Sequence, residues 1–339
     1  MDTVESGKYY RRELLAMSGA LLILAMGASS AAGFQAAQQA APPAPNSADA
    51  LFKSGVAHLM EKKYKEAEEA FRKLYELEPG NARGISGVAE VYLAQGMTGE
   101  ALRLLEEETE KHPTRLDIRV AIGNVALRTA NYDRAIAEFQ KVLDRVDRNS
   151  AAAADLYFRM AEAYRRKGDL DFCIALLRQA KRLLPTNVLV AQALAFSLES
   201  AGHKQAAEAQ LKSALELEPN SPLVLNNLAF MLAESGRDLD TALSYARRAK
   251  ELAPGQVRIA DTLGWVYVKR NMIDEAIAIL RDVVQKDPAQ AIYRYHLAVA
   301  LAQKGDRPAA IAELESASTS NPSKEDEQKI RELLQKLGR

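Results

Sequence analysis

ADTLGWVYVKRNMIDEAIAILRDVVQKDP (Ala260–Pro288) is the stretch whose reading decides the fold. Leu263, Gly264 and Tyr267 fall at helical spacing on one stretch. Ala276, Leu280 and Val283 do so on the next, and Pro288 closes the unit. A short polar break, Arg270-Asn271, separates them. Apolar residues at a 3.6-residue period on both sides of such a break predict a helix–turn–helix hairpin with one apolar face per helix.

Outward from this unit, the closing residue recurs at Pro79, Pro113, Asp147 in place of Pro, Pro185, Pro219, Pro254, Pro288 and Pro322. The steps are 34, 34, 38, 34, 35, 34 and 34 residues. The longer step reflects extra residues near Asn149–Ala152, and the 35-residue step an insertion in the turn Gly236–Asp240. Eight repeats follow, over residues 47–80, 81–114, 115–150, 153–186, 187–220, 221–255, 256–289 and 290–322. In each, a small residue on the first helix (Gly55, Ala89, Gly123, Ala161, Ala195, Ala229, Gly264, Ala298) lets the second helix approach closely. A second small residue faces it (Ala67, Ala101, Ala135, Cys173, Ala207, Ala242, Ala276, Ala310). Larger residues such as Phe71, Phe139, Tyr245 and Leu280 fill the remaining gap. A hairpin with one apolar face buries it only by stacking on its neighbours, so the expected fold class is an all-α solenoid. Gly96, Gly168, Gly202, Gly236 and Gly305 supply tight turns. Residues 323–339 read as a closing helix, with Ser323 and Asp326 as a capping box and Ile330, Leu333, Leu334 and Leu337 as the covering stripe.

These residues resemble the tetratricopeptide repeat (TPR), whose 34-residue signature is W-x2-L-G-x2-Y…A-x3-F…P. The resemblance covers roughly residues 47–322. It departs from the family at the early first-helix Trp, which is missing, and at Asp147. It implies an α-α superhelix whose inner groove, lined by the first helices, binds peptides or partner proteins as an assembly scaffold.

Residues 1–33 read as an export signal or amino-terminal membrane anchor. Lys8, Arg11 and Arg12 precede an uncharged run from Leu14, and Ser30-Ala31-Ala32 offers a cleavage site. Cleavage would start the mature chain between Ala31 and Ala37. Arg11-Arg12 also resembles a twin-arginine export motif, and no Cys follows the run to carry a lipid anchor. An uncleaved span would leave the repeats outside the cytoplasm too. Residues 34–46 are an Ala/Gln/Pro-rich linker in which Pro42, Pro43 and Pro45 stop a helix.

The charges balance at 45 basic and 45 acidic residues, which argues against a nucleic-acid partner. One cysteine, Cys173, excludes an intramolecular disulfide. It sits in a small-residue packing slot and reads as inert core. His58, His112, His203 and His296 lie in different repeats and outside any metal or catalytic motif. His58 reads as core, and His112 and His203 as solvated turn residues. The run Glu106–Glu108 reads as a solvated face. No catalytic, metal or cofactor constellation is expected.

By the family's register, the inner wall of repeats two to four carries Arg83, Glu90, Asp117, Asn124, Arg128, Asp155, Glu162, Arg165 and Arg166, a mixed-charge surface. Phe196, Phe230 and Trp265 hold one equivalent position in successive repeats, with Tyr295, Asn226, Asn227 and Arg258 beside them. These seven are the candidate partner-binding residues, and packing against the next helix is the competing reading of the aromatics. A chaperone-tail clamp is not expected, because Gln192, Phe196 and Thr262 stand where it needs its Lys and Asn. The expected function is a non-enzymatic scaffold outside the cytoplasm, and the resemblance to exported bacterial TPR proteins, which share a signal followed by repeats, implies envelope assembly, secretion or exopolysaccharide machinery. The alternative is a structural subunit of a membrane-tethered complex held by solenoid-end contacts, which the apolar Leu51, Phe52 and Met60 of the first helix favour.

Overall fold

The computed structural model describes residues 47–339. The expected export signal and linker lie outside them. The described residues form two compact units that divide between Leu183 and Leu184.

The unit over residues 47–183 holds four helix pairs: α1 (Ala48–Met60) with α2 (Tyr64–Leu77), α3 (Arg83–Ala94) with α4 (Thr98–Lys111), α5 (Leu116–Arg128) with α6 (Tyr132–Leu143), and α7 (Ala151–Lys167) with α8 (Leu170–Leu183). The unit over residues 184–339 holds α9 (Val188–Ser200) with α10 (Lys204–Leu217), α11 (Pro222–Ser235) with α12 (Leu239–Leu252), α13 (Val257–Lys269) with α14 (Ile273–Lys286), α15 (Ala291–Lys304) with α16 (Arg307–Thr319), and a last helix, α17 (Lys324–Lys336). All 17 helices are α-helices, and no strand occurs among the described residues. Within each unit a helix packs on the next in sequence, and first helices of successive pairs touch, as α1 with α3 and α13 with α15. This is an all-α solenoid packing.

The helix ends follow local chemistry. Ser47, Asn131, Ser150, Asn187, Asp238 and Asp306 each accept a hydrogen bond from a backbone N–H in the first turn of the helix that follows. Gly236 ends α11 in the left-handed region at φ 64°, and Asp238 at φ 45° caps α12, so the extra residue of the 35-residue step is absorbed between them. The extra residues near Asn149–Ala152 lengthen a helix: α7 runs 17 residues, while every other first helix has 12 to 14. Lys62, Ala130 and Asn271 take the same positive-φ turn position without glycine, at 59°, 61° and 59°. For Lys62 and Ala130 this costs about 1–2 kcal/mol each.

Every small slot named from the sequence is buried. The reason is steric. A Cβ added at Gly55 would stand 2.7 Å from the Phe71 ring, and one at Gly123 would stand 2.5 Å from Phe139. Bulky second-helix residues thus pack straight onto first-helix backbone. Tyr245 is the exception among the gap fillers and stays half-buried.

Ser323 caps α17, its Oγ accepting from the Asp326 N–H at 3.1 Å and donating to the Asp326 carboxylate at 2.8 Å. Ile330 is buried against Ala291, Ala298, Leu314 and Ala317, with Leu333, Leu334 and Leu337 packed around it. The helix therefore covers the apolar end of the last pair.

Candidate functional site

One residue follows each small slot of a first helix and repeats the same helical position: Val56, Glu90, Asn124, Glu162, Phe196, Phe230, Trp265 and Val299. Apart from the valines at its two ends, the row is charged or amide in the unit over residues 47–183 and aromatic in the unit over residues 184–339.

In the first of these units the polar wall is bonded to itself from one first helix to the next. Arg83 on α3 donates to Asp49 on α1 at 3.0 Å and stacks over Phe52 at 4.5 Å. The Ala82 N–H donates to Asp117 on α5 at 2.9 Å, and Arg115 pairs with the same carboxylate. Arg128 on α5 pairs with Glu90 on α3. Arg159 on α7 donates to the Asn124 Oδ1 on α5 at 2.9 Å and to Asp155 at 2.7 Å. Glu162 accepts from both Arg165 and Arg166 at 2.6–2.7 Å. Burial works to raise the Glu162 carboxyl, but the two guanidiniums outweigh it and hold it below the usual carboxylate range. Of these arginine–carboxylate pairs, Arg83–Asp49 and Arg128–Glu90 run from one first helix to the next and help to hold their spacing.

In the unit over residues 184–339 the wall is built around Trp265. Its indole is 6% exposed and belongs to the core. It stacks on His296 with ring centroids 4.3 Å apart, and its Nε1–H donates to Glu234 on α11 at 2.7 Å. Lys269 lies over the ring at 4.7 Å and 3.6 Å from Glu234. His296 on α15 is buried and meets the buried Asp261 on α13 through Nδ1 at 2.9 Å. Three consecutive first helices are thus tied through one indole. Phe230 and Tyr295 pack half-buried on the same core cluster.

The sequence candidates divide accordingly. Phe196, Asn227, Phe230, Arg258 and Tyr295 are half-buried and keep some surface, whereas Trp265 and Asn226, the latter 1% exposed, are enclosed. For Trp265 the packing reading is the one the geometry matches: it holds up the wall from behind. His112 and His203 are exposed and His58 is half-buried. Sequence reading passed over the Asp261–His296 pair and Glu234. Their signal was the 35-residue separation of Asp261 from His296, one residue more than the 34-residue step between these repeats, which brings two polar residues to adjoining first helices. It also passed over Glu199 on α9, whose carboxyl is pushed up to about 7 by burial, then by the charges of Glu234 and Glu325 against the opposing Lys204. Burial likewise raises the Tyr295 phenol. Among the described residues no group of three or more His, Cys, Asp or Glu could hold a metal ion, and no helix is long and apolar enough to cross a membrane.

Tetratricopeptide repeat models match residues 58–121 and 92–157, residues 28–82, 193–257 and 262–325, and residues 154–187. The chain belongs to the tetratricopeptide-repeat family. As a TPR chain it is a protein–protein interaction scaffold in class, and the TPR fold is generally non-catalytic. No curated protein matches it by sequence. Among solved structures it is similar to the crystal structure of the APC/C hetero-tetramer Cut9–Hcn1, at 19% identity and a TM-score of 0.61 over 91% of this chain and 58% of that one. It is also similar to a human IFIT1 dimer with m7Gppp-AAAA, at 22% identity and a TM-score of 0.54 over 87% of this chain and 71% of that one. The chain thus spans 58% of the length of the first of these. At such identities the likeness is one of fold.

Proposed function

We propose that this TPR chain is an exported scaffold that binds a peptide or partner protein on the first-helix face of residues 184–339. The observation that carries the reading is the pair Phe196 and Phe230. Both follow a small slot on consecutive first helices and both keep exposed surface, Trp265 holds the next equivalent position, and Tyr295, one turn before Val299, packs on the same cluster. Partly exposed aromatics on rigid helices suit the apolar anchors of an extended or helical segment, with Asn227 and Arg258 beside them for its polar groups. Export rests on the basic and apolar pattern of residues 1–33 and is consistent with envelope assembly, secretion or exopolysaccharide export.

The test is a photo-crosslinking amino acid placed at Phe230 in cells, followed by titration of the captured partner onto the Phe196→Ala protein. The expected result is an adduct from position 230 and a loss of affinity of roughly 2 kcal/mol or more in the variant. The same adduct from the exposed Arg281 on the second helix α14, with unchanged affinity of the variant, would refute it. Fractionation should place the protein outside the cytoplasm, and soluble cytoplasmic protein with an intact Met1 end would refute export.

A second reading has its own observation. Met60 is 78% exposed at the end of α1, and Leu77 is also exposed on α2. An apolar amino-terminal hairpin suits end-on assembly into a larger complex. Met60→Lys should weaken that assembly in sedimentation while leaving capture at position 230 intact.

A further inference from the structure

Glu199 stands on the aromatic wall without a partner. It follows Phe196 by three residues on α9 and so lies one turn along the same face. Its side chain is half-buried, and its carboxylate oxygens keep contact with solvent. Among the described residues the carboxylate makes no hydrogen bond and no ion pair. Glu234, four residues after Phe230 on α11, is better served. It accepts from the Trp265 Nε1–H at 2.7 Å and lies 3.6 Å from the Lys269 ammonium.

The charge around Glu199 is negative on balance. Facing it are Lys204 from α10, Glu234 from α11 and Glu325 from α17. Lys269 is engaged by Glu234, and Lys329 on α17 is engaged by Glu325 at 2.7 Å. Lys204 is exposed and draws the Glu199 carboxyl down only through space, by less than burial pushes it up. Arg258 stands about 16 Å back along α13 from Lys269, too far to serve this end. Glu199 and Glu234 are also the next-to-last residues of α9 and α11. The last carbonyls of a helix carry partial negative charge, so both helix ends favour a cation and disfavour a bare carboxylate.

We infer, resting on the binding face proposed above, that the partner segment seated there carries a Lys or Arg beside its apolar anchors, and that this cation pairs with Glu199. Such a cation completes the carboxylate that the chain leaves unpaired. The neighbouring Phe196 ring attracts the same charge through its face. An organic cation suits the place better than a metal ion, since among the described residues no group of three or more His, Cys, Asp or Glu could hold one. An acidic segment would meet Glu199, Glu234 and Glu325 and be repelled. Burial, with the charges of Glu234 and Glu325, pushes the unpartnered Glu199 carboxyl up to about 7. Pairing therefore strengthens as pH rises through that value and the carboxyl loses its proton.

The test titrates three acetylated, amidated heptapeptides onto protein labelled with 13C in its phenylalanine rings and glutamate carboxyls. They read Phe-Ala-Ala-Xaa-Ala-Ala-Phe, with Xaa as Arg, as its neutral isostere citrulline, or as Glu. Ring shifts of Phe196 and Phe230 report the aromatic face, and the Glu199 carboxyl shift reports the cation. At about pH 8 the Arg peptide should move all three resonances saturably. It should bind at least about tenfold tighter than the citrulline peptide, the worth of one hydrogen bond to a charged group, with the Glu peptide weakest. That advantage should shrink as pH falls through 7, and Glu199→Gln should bring the Arg and citrulline peptides to equal affinity. Equal affinity on the unmodified protein, with ring shifts from both peptides, would overturn the cation and leave the aromatic face standing. No ring shift from any peptide would overturn both. An Arg advantage that survives Glu199→Gln undiminished would overturn the pairing with Glu199.

Discussion

Removing the Trp265 indole tests whether the aromatic row is wall or contact. The side chain is the only tryptophan and is almost wholly enclosed. An indole buries up to about 250 Å², which at about 25 cal/mol per Å² sets an upper bound near 6 kcal/mol. Truncation to Ala keeps the Cβ and lets the site relax in part, so about 3–5 kcal/mol is expected for Trp265→Ala. Trp265→Phe keeps most of the ring and loses the Nε1–H bond to Glu234. Since Glu234 retains Lys269 and water, that variant should lose only about 1 kcal/mol. Damage should be local, because each helix pair is coupled to its neighbours. Hydrogen exchange should rise in α11, α13 and α15, which the indole ties together, and stay unchanged in α9 and α10. Urea unfolding followed by far-ultraviolet circular dichroism gives the energies. A loss under about 1 kcal/mol for Trp265→Ala would show that the indole is not a structural tie, and the contact reading would return.

Two further outcomes are expected. Glu199 titrates near 7 in the folded protein against 4.5 for an unperturbed glutamate. A carboxyl with a raised folded value binds its proton more tightly when folded, so its contribution to stability is greatest at low pH. It is lost as pH rises from about 4.5 to 7, by up to about 3 kcal/mol. Glu199→Gln should flatten that slope and raise the melting temperature at pH 8, and an unaltered slope would locate the effect elsewhere. The glycine contacts give an ordered pair: a Cβ at Gly84 would stand 2.5 Å from the Tyr75 backbone nitrogen, whereas at Gly264 it would meet the Leu280 side chain at 2.6 Å. Backbone cannot yield and a leucine rotamer partly can, so Gly84→Ala should cost about 2–3 kcal/mol and Gly264→Ala about 1 kcal/mol. Denaturant midpoints in the reverse order would contradict this.

How much of the site was legible depended on what kind of interaction each residue makes. The slots at Ala229, Gly264 and Ala276 were readable because close helix approach admits only small residues, and that restriction recurs at every step. The partners of Trp265 were not readable. Its hydrogen bond to Glu234 spans 31 residues and its stack on His296 the same number in the other direction. Either contact requires knowing how far one first helix is rotated against the next. Asn271 stood in the polar break read from the sequence, but Lys62 and Ala130 carry no turn signal, and the chain tolerates such residues at positive φ where the flanking helices enforce it.

The sequence by itself determined that the chain is helical, that its helices come in pairs, and where each pair must be thin. Those are local or strictly periodic demands, set by helix geometry and by the room a side chain takes. The tertiary structure alone decided which face of each first helix is spent on its neighbour. Phe230 and Trp265 occupy the same helical position, yet one keeps surface and the other loses it. The difference is that His296, Tyr295 and Lys269 close over the indole from α13 and α15. Exposure at a repeated position is a property of the neighbouring repeat's side chains, and no periodicity carries it.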